Sequence, residues 1–171
     1  MIQIEKELST AKKASIKSAE LLTGKKTSIN NLISNEGRDV KLQADIESEK
    51  IIKNYLKEFS DLPILAEESG ANEHLGSSFW VVDPLDGTSN YSRDFPICCI
   101  SIALIHENKI TLGVINDFNR NIIYEGSTET PAMMNSKVIT VSDVSDKSKA
   151  TLATGLPAKG NFEDKAMHDL A

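Results

Sequence analysis

Trp80-Val81-Val82-Asp83-Pro84-Leu85-Asp86-Gly87-Thr88-Ser89-Asn90-Tyr91 opens as a buried strand and closes as turn chemistry. The apolar run stops at Asp83. Pro84 fixes its own φ, and Gly87 permits tight backbone geometry. Asp86, Thr88 and Ser89 are each able to open a helix. Pro-x-Asp-Gly is also ordinary turn chemistry that needs no further role. Two features speak for more. Asp83 and Asp86 leave the strand within one turn of each other, and Glu67 ends the preceding run, Ile64-Leu65-Ala66, in the same way. If both strands end on one edge of a sheet, three carboxylates converge there and repel. Divalent cations are the simplest compensation, and Mg²⁺ prefers oxygen ligands of this kind. The N–H groups of Gly87 and Thr88, at a helix start, would make a natural anion site. A metal pair beside bound phosphate is an arrangement for phosphoryl hydrolysis.

Upstream, Ile4, Leu8, Ala11, Ala19 and Leu22 recur at helical spacing and predict a helix over 3–23, stopped by Gly24. The polar segment 25–41 reads as a loop or short hairpin. Ile52, Tyr55, Leu56 and Phe59 form the stripe of a second helix over 45–59, with Asp45 at its N-cap and Pro63 beyond its end. Downstream the period changes. Residues 64–66, 79–82, 97–105, 110–115, 121–124 and 137–141 read as strands, with 150–154 as one more. The links 106–109 and 117–120 are short, so the strands they join must be antiparallel. Helices packed on a mainly antiparallel sheet give an α+β fold. Trp80 belongs in its core, Met133 and Met134 under the sheet, and Tyr91 and Phe95 beside the short helix after the motif. His74, His106 and His168 share no metal-ligand spacing and read as surface residues.

At 40% hydrophobic and 26% charged residues, the 171-residue chain is neither low-complexity nor membrane-like. The net charge of −6 is unevenly placed. Residues 1–60 carry 11 Lys and Arg against 9 Asp and Glu, whereas 61–94 carry seven carboxylates against Arg93. That stretch would repel nucleic acid and anionic membranes, so neither is expected as a partner. A solvated acidic face is its plainest reading. The longest apolar stretch, 97–105, is too short to span a bilayer as a helix. Cys98 and Cys99 are adjacent and point to opposite faces of a strand, which disfavours a mutual disulfide. A cytoplasmic location follows.

The sequence resembles the inositol monophosphatase family of metal-dependent phosphomonoesterases. Asp83-Pro84-Leu85-Asp86-Gly87-Thr88 carries the match, extended by Ser89-Asn90-Tyr91 and Phe95-Pro96. Ala66-Glu67-Glu68-Ser69 is similar to the family's Gly-Glu-Glu-Ser, and Gln43-Ala44-Asp45 to its Thr-x-x-Asp element. The resemblance implies that Glu67, Asp83 and the Leu85 carbonyl ligate a first metal, and that Asp83 and Asp86 contribute to a second. It implies two or three Mg²⁺ ions in a complete site. Gly87 and Thr88 would bind the substrate phosphate through backbone N–H groups. The Thr88 hydroxyl and Asp45 would orient and deprotonate the attacking water, with Glu67 also in the catalytic set. Asp45 as a simple N-cap stays open beside that role. Glu68 is expected to play a structural part.

The chain also departs from the family. Its only tryptophan is Trp80, so the Trp-Asp motif that supplies the third aspartate of the second metal site has no counterpart. Asp164 and Asp169 lie in the wrong context to replace it. The Gly126-Ser127-Thr128 turn differs from the family's Gly-x-Gly-Ala hairpin. Residues 1–171 are therefore expected to form the N-terminal metal- and phosphate-binding domain, with the C-terminal half absent. Metal binding with weak or absent turnover follows, as does a homodimer or self-association through exposed sheet. Hydrolysis of an inositol- or sugar-phosphate monoester is the leading expectation. A 3′-phosphoadenosine phosphate nucleotidase, a fructose-1,6-bisphosphatase, and a non-catalytic metal-binding or interaction module are the alternatives.

Overall fold

Leu8, Ala11, Ala14 and Leu22 line one side of α1 (Ile4–Gly24) and turn it onto the sheet. The computed structural model describes residues 2–24, 26–36, 39–71 and 74–151. A short helix α2 (Lys26–Ile29) leads into the hairpin β1 (Leu32–Glu36) and β2 (Asp39–Leu42), so the polar segment 25–41 forms the hairpin alternative. Helix α3 (Gln43–Phe59) begins two residues earlier than expected. Leu42 occupies its N-cap and Asp45 sits in its first turn, not at the cap. Ser18 and Ser48, both fully buried, meet where α1 and α3 pack together, with their hydroxyls 2.6 Å apart.

The main sheet contains β3 (Ile64–Ala66), β4 (Gly70–Ala71), β5 (Ser78–Asp86), β6 (Cys99–His106), β7 (Lys109–Asp117), β8 (Ile122–Ser127), β9 (Met133–Met134) and β10 (Lys137–Val138). Its order is β10-β9-β8-β7-β6-β5-β3-β4, and every pairing is antiparallel except β3 with β5. A short helix α4 (Thr88–Ser92) follows β5. The layout is the expected α+β one. Trp80, Val82, Ile100, Ile102, Leu104, Leu112 and Val114 alternate along their strands and are buried with the apolar residues of α1 and α3. On the opposite face Ile115 and Tyr124 are exposed among the described residues.

Several local expectations change. β5 does not stop at Asp83 but continues to Asp86. Its pairing with β6 skips between Asp83↔Ser101 and Asp86↔Cys99, which accommodates Pro84, a residue without an N–H to donate. Met133 and Met134 are themselves a strand, half-buried. The expected strand at 137–141 shrinks to Lys137–Val138, and Val141 is 94% exposed. Ala150 and Thr151 lie outside any strand, and 152–171, with His168, Asp164 and Asp169, lie outside the described residues. Phe95 is 53% exposed and wedges nothing, whereas Tyr91 is buried and donates to the Leu22 carbonyl at 2.7 Å. His106 is half-buried, with Nδ1 2.7 Å from Ser78 Oγ, because the two residues face each other across β5 and β6. Among the described residues no helix is long and apolar enough to cross a membrane.

Candidate active site

The parallel pairing of β3 with β5 places Ala66 opposite Val82. The next residues, Glu67 just past the end of β3 and Asp83 within β5, therefore stand side by side, and the Glu67 N–H closes the pair on the Val82 carbonyl at 3.0 Å. The Glu67 carboxyl hydrogen-bonds to the Asp83 carboxylate. Burial, reinforced by the Asp83 charge, pushes Glu67 up to about 7. Burial also raises Asp83, while the bonds from Glu67 and from the Leu85 N–H (3.1 Å) partly hold it down. Asp86 adds negative charge to this pair but is exposed, its Oδ2 turned to Cys99 Sγ at 3.7 Å. Burial first, then Asp86, pushes the Cys99 thiol up to about 12. Among the described residues no three His, Cys, Asp or Glu side chains form a ready-made metal cage. Two of the expected carboxylates are bonded to each other, and the third acts on both through its charge while accepting from Cys99.

Asp45 is 1% exposed and bonded on both oxygens. Oδ2 accepts the Leu42 N–H at 2.7 Å, and Oδ1 lies 2.8 Å from the Thr88 hydroxyl. Burial pushes Asp45 up to about 6 against the lowering effect of those two bonds. Thr88 Oγ1 is also 3.0 Å from the Leu85 carbonyl. Its one proton has two acceptors, and its lone pairs remain for a donor such as water. Gly87 caps α4 at φ 86°. As N-cap and first residue of that helix, Gly87 and Thr88 have N–H groups without an intrahelical acceptor.

Three further residues hold this edge together and carry no motif signal. Ser48 Oγ donates to the Pro84 carbonyl at 2.7 Å and lies 2.6 Å from Ser18 Oγ. Glu49 Oε2 accepts the Glu68 N–H at 2.9 Å. Lys41 pairs with the Glu68 carboxylate, giving Glu68 its structural part. Helical spacing from Asp45 would have pointed to Ser48 and Glu49, three and four residues on.

The raised carboxyls of Glu67 and Asp45 set a pH dependence. A carboxyl raised by folding adds stability below its ordinary range near 4, and loses it as pH climbs through the folded value. With Glu67 at about 7 and Asp45 at about 6, the metal-free chain is expected to lose melting temperature between pH 5 and pH 8. A divalent cation should restore more at pH 8, where the proton between Glu67 and Asp83 has left. Thermal melts across that range check this; a flat profile would contradict it.

The model of the inositol monophosphatase family matches residues 3–167. The chain belongs to this family. It is 36% identical over 127 residues to an inositol-1-monophosphatase from Synechocystis, covering 72% of this chain and 44% of that protein. It is 38% identical over 128 residues to the Nus factor SuhB of Xylella fastidiosa, covering 73% and 46%. The crystal structure of SuhB from Bartonella henselae superposes with a TM-score of 0.73 at 31% identity, over 80% of this chain and 54% of that one. The chain spans about half the length of the family members it matches.

Proposed function

We propose that this chain supplies the metal- and phosphate-binding half of a Mg²⁺-dependent phosphomonoesterase for a small ester of the inositol- or sugar-phosphate type. The observation that carries the reading is the side-by-side placement of Glu67 and Asp83 on the parallel pair β3 and β5. These two, the Leu85 carbonyl and a rotated Asp86 form an all-oxygen donor set that suits Mg²⁺. When bound, the cation would lower the pKa of water and offset charge on the phosphate oxygens. The remaining steps belong to the chain's own groups. Thr88 Oγ1 orients a water. As that water attacks phosphorus in line, the ester P–O bond breaks, and the alcohol leaves and takes a proton from solvent. The attacking water's own proton passes through the hydroxyl to Asp45. A carboxylate held at about 6 is ionised at neutral pH and still basic enough to receive it. The Gly87 and Thr88 N–H groups hold phosphate oxygens as charge builds on them.

Turnover by the 171 residues alone is expected to be weak, because the Trp-Asp ligand has no counterpart in them. Phosphate release from inositol phosphate, phosphoadenosine phosphate and fructose bisphosphate tests this reading. Weak release that needs Mg²⁺, favours inositol phosphate and falls at least tenfold in Thr88→Ala is the expected result. The 38% identity to a protein named as a Nus factor favours a second reading, a binding module that needs no turnover. Firm Mg²⁺ binding with no release from any ester would select it.

A further inference from the structure

We propose that Ser48 and Glu49 are positioning residues of the metal site, and that one face of α3 serves as its template; this rests on the metal assignment above. Asp45, Ser48 and Glu49 stand at helical positions i, i+3 and i+4, so their side chains share one face. Each grips a different part of the site. Asp45 meets Thr88 at 2.8 Å. Ser48 fixes the Pro84 carbonyl at 2.7 Å, in the turn between ligands Asp83 and Leu85. Since Ser48 spends its only proton there, the 2.6 Å contact with Ser18 is a bond donated by Ser18. Both serines are fully buried. Glu49, 5% exposed, accepts the N–H of Glu68, the residue after Glu67. Lys53 steadies it, 3.5 Å from Glu49 Oε1 and 2.7 Å from Ser69 Oγ. The backbone flanking both carboxylates is therefore set by adjacent residues of one helix, and a loosened clamp lets Glu67 and Asp83 separate. Partners outside the ligand shell typically change metal affinity about 10–100-fold when removed.

Mn²⁺ alone is the probe, with free ion followed by electron paramagnetic resonance and folding by thermal melts. Ser48→Ala and Glu49→Ala are expected to weaken Mn²⁺ binding roughly tenfold or more. Glu49→Gln, which keeps an acceptor for the Glu68 N–H, should recover most of that loss. Ile52→Val, on the same helix but in the apolar core, should lower the melting temperature without changing Mn²⁺ affinity. Wild-type affinity in folded Ser48→Ala and Glu49→Ala overturns the inference and leaves the metal site standing. So does a loss that merely tracks melting temperature, as shared by Ile52→Val. Absence of Mn²⁺ binding by the wild-type chain overturns the metal site and this inference together.

Discussion

Asp83→Asn is expected to abolish the rise in melting temperature that Mg²⁺ gives, while raising the melting temperature of the metal-free chain at pH 8. Asparagine keeps the oxygen that accepts the Leu85 N–H, so the turn survives. Its amide can donate to Glu67, which turns a like-charge contact into a hydrogen bond. The cation loses the residue assigned to both metal positions. At a Mg²⁺ concentration about a hundredfold above Kd, linkage adds about 2.7 kcal/mol to a chain that binds. That is roughly 5–10 °C for a protein of this size, absent in the variant. Calorimetry with and without Mg²⁺ measures both changes. A variant that keeps the wild-type Mg²⁺ shift would remove Asp83 from the metal site.

Gly87→Ala is the second large effect. Gly87 lies at φ 86°, and an added Cβ would stand 2.7 Å from the Ile97 carbonyl and 3.1 Å from Cys98 Cβ. The carbonyl cannot retreat freely, because it also accepts the Asn90 side-chain amide at 2.7 Å. A left-handed backbone costs a residue with a Cβ about 1–2 kcal/mol before any clash. Adding the clash, about 3 kcal/mol is expected, or a drop of roughly 6–12 °C in melting temperature. Gly113→Ala meets nothing within 4 Å and is the control. Urea unfolding of both variants decides. Equal stability of the two would show that the turn yields more readily than its contacts imply.

Much of this architecture was legible from periodicity. The stripes of α1 and α3 and the short links around β7 follow from local chemistry, so they emerge from sequence directly. The boundaries that moved depended on partners. β5 runs through Pro84 because β6 lies opposite and tolerates the skip, which no local pattern announces. The 137–141 run looks like a strand in isolation, yet the ladder covers Lys137 and Val138, with one further bond from the Ile139 N–H to the Ala132 carbonyl. In the site, Glu67, Asp83, Asp86, Gly87 and Thr88 stand out as motifs. The parallel register that joins the first two does not, since a three-residue strand carries no sign of its direction. Ser48 and Glu49 on a helix and Lys41 on a hairpin strand escaped because serine, glutamate and lysine are ordinary surface residues until packing buries or pairs them.

The bonds that hold this edge join distant parts of the chain. Thr88 and Asp45 are 43 residues apart, Pro84 and Ser48 36, Glu68 and Glu49 19. None can form until α3 has docked on β3 and β5. Such contacts repay their loop-closure entropy only once the long-range topology is in place. The site is thus a property of the finished fold and not of any fragment that forms early. The amide of Glu68, bonded to the Glu49 carboxylate, should exchange with deuterium only through the cooperative opening that undocks α3. The appearance of cation binding during refolding would then time the last step of assembly.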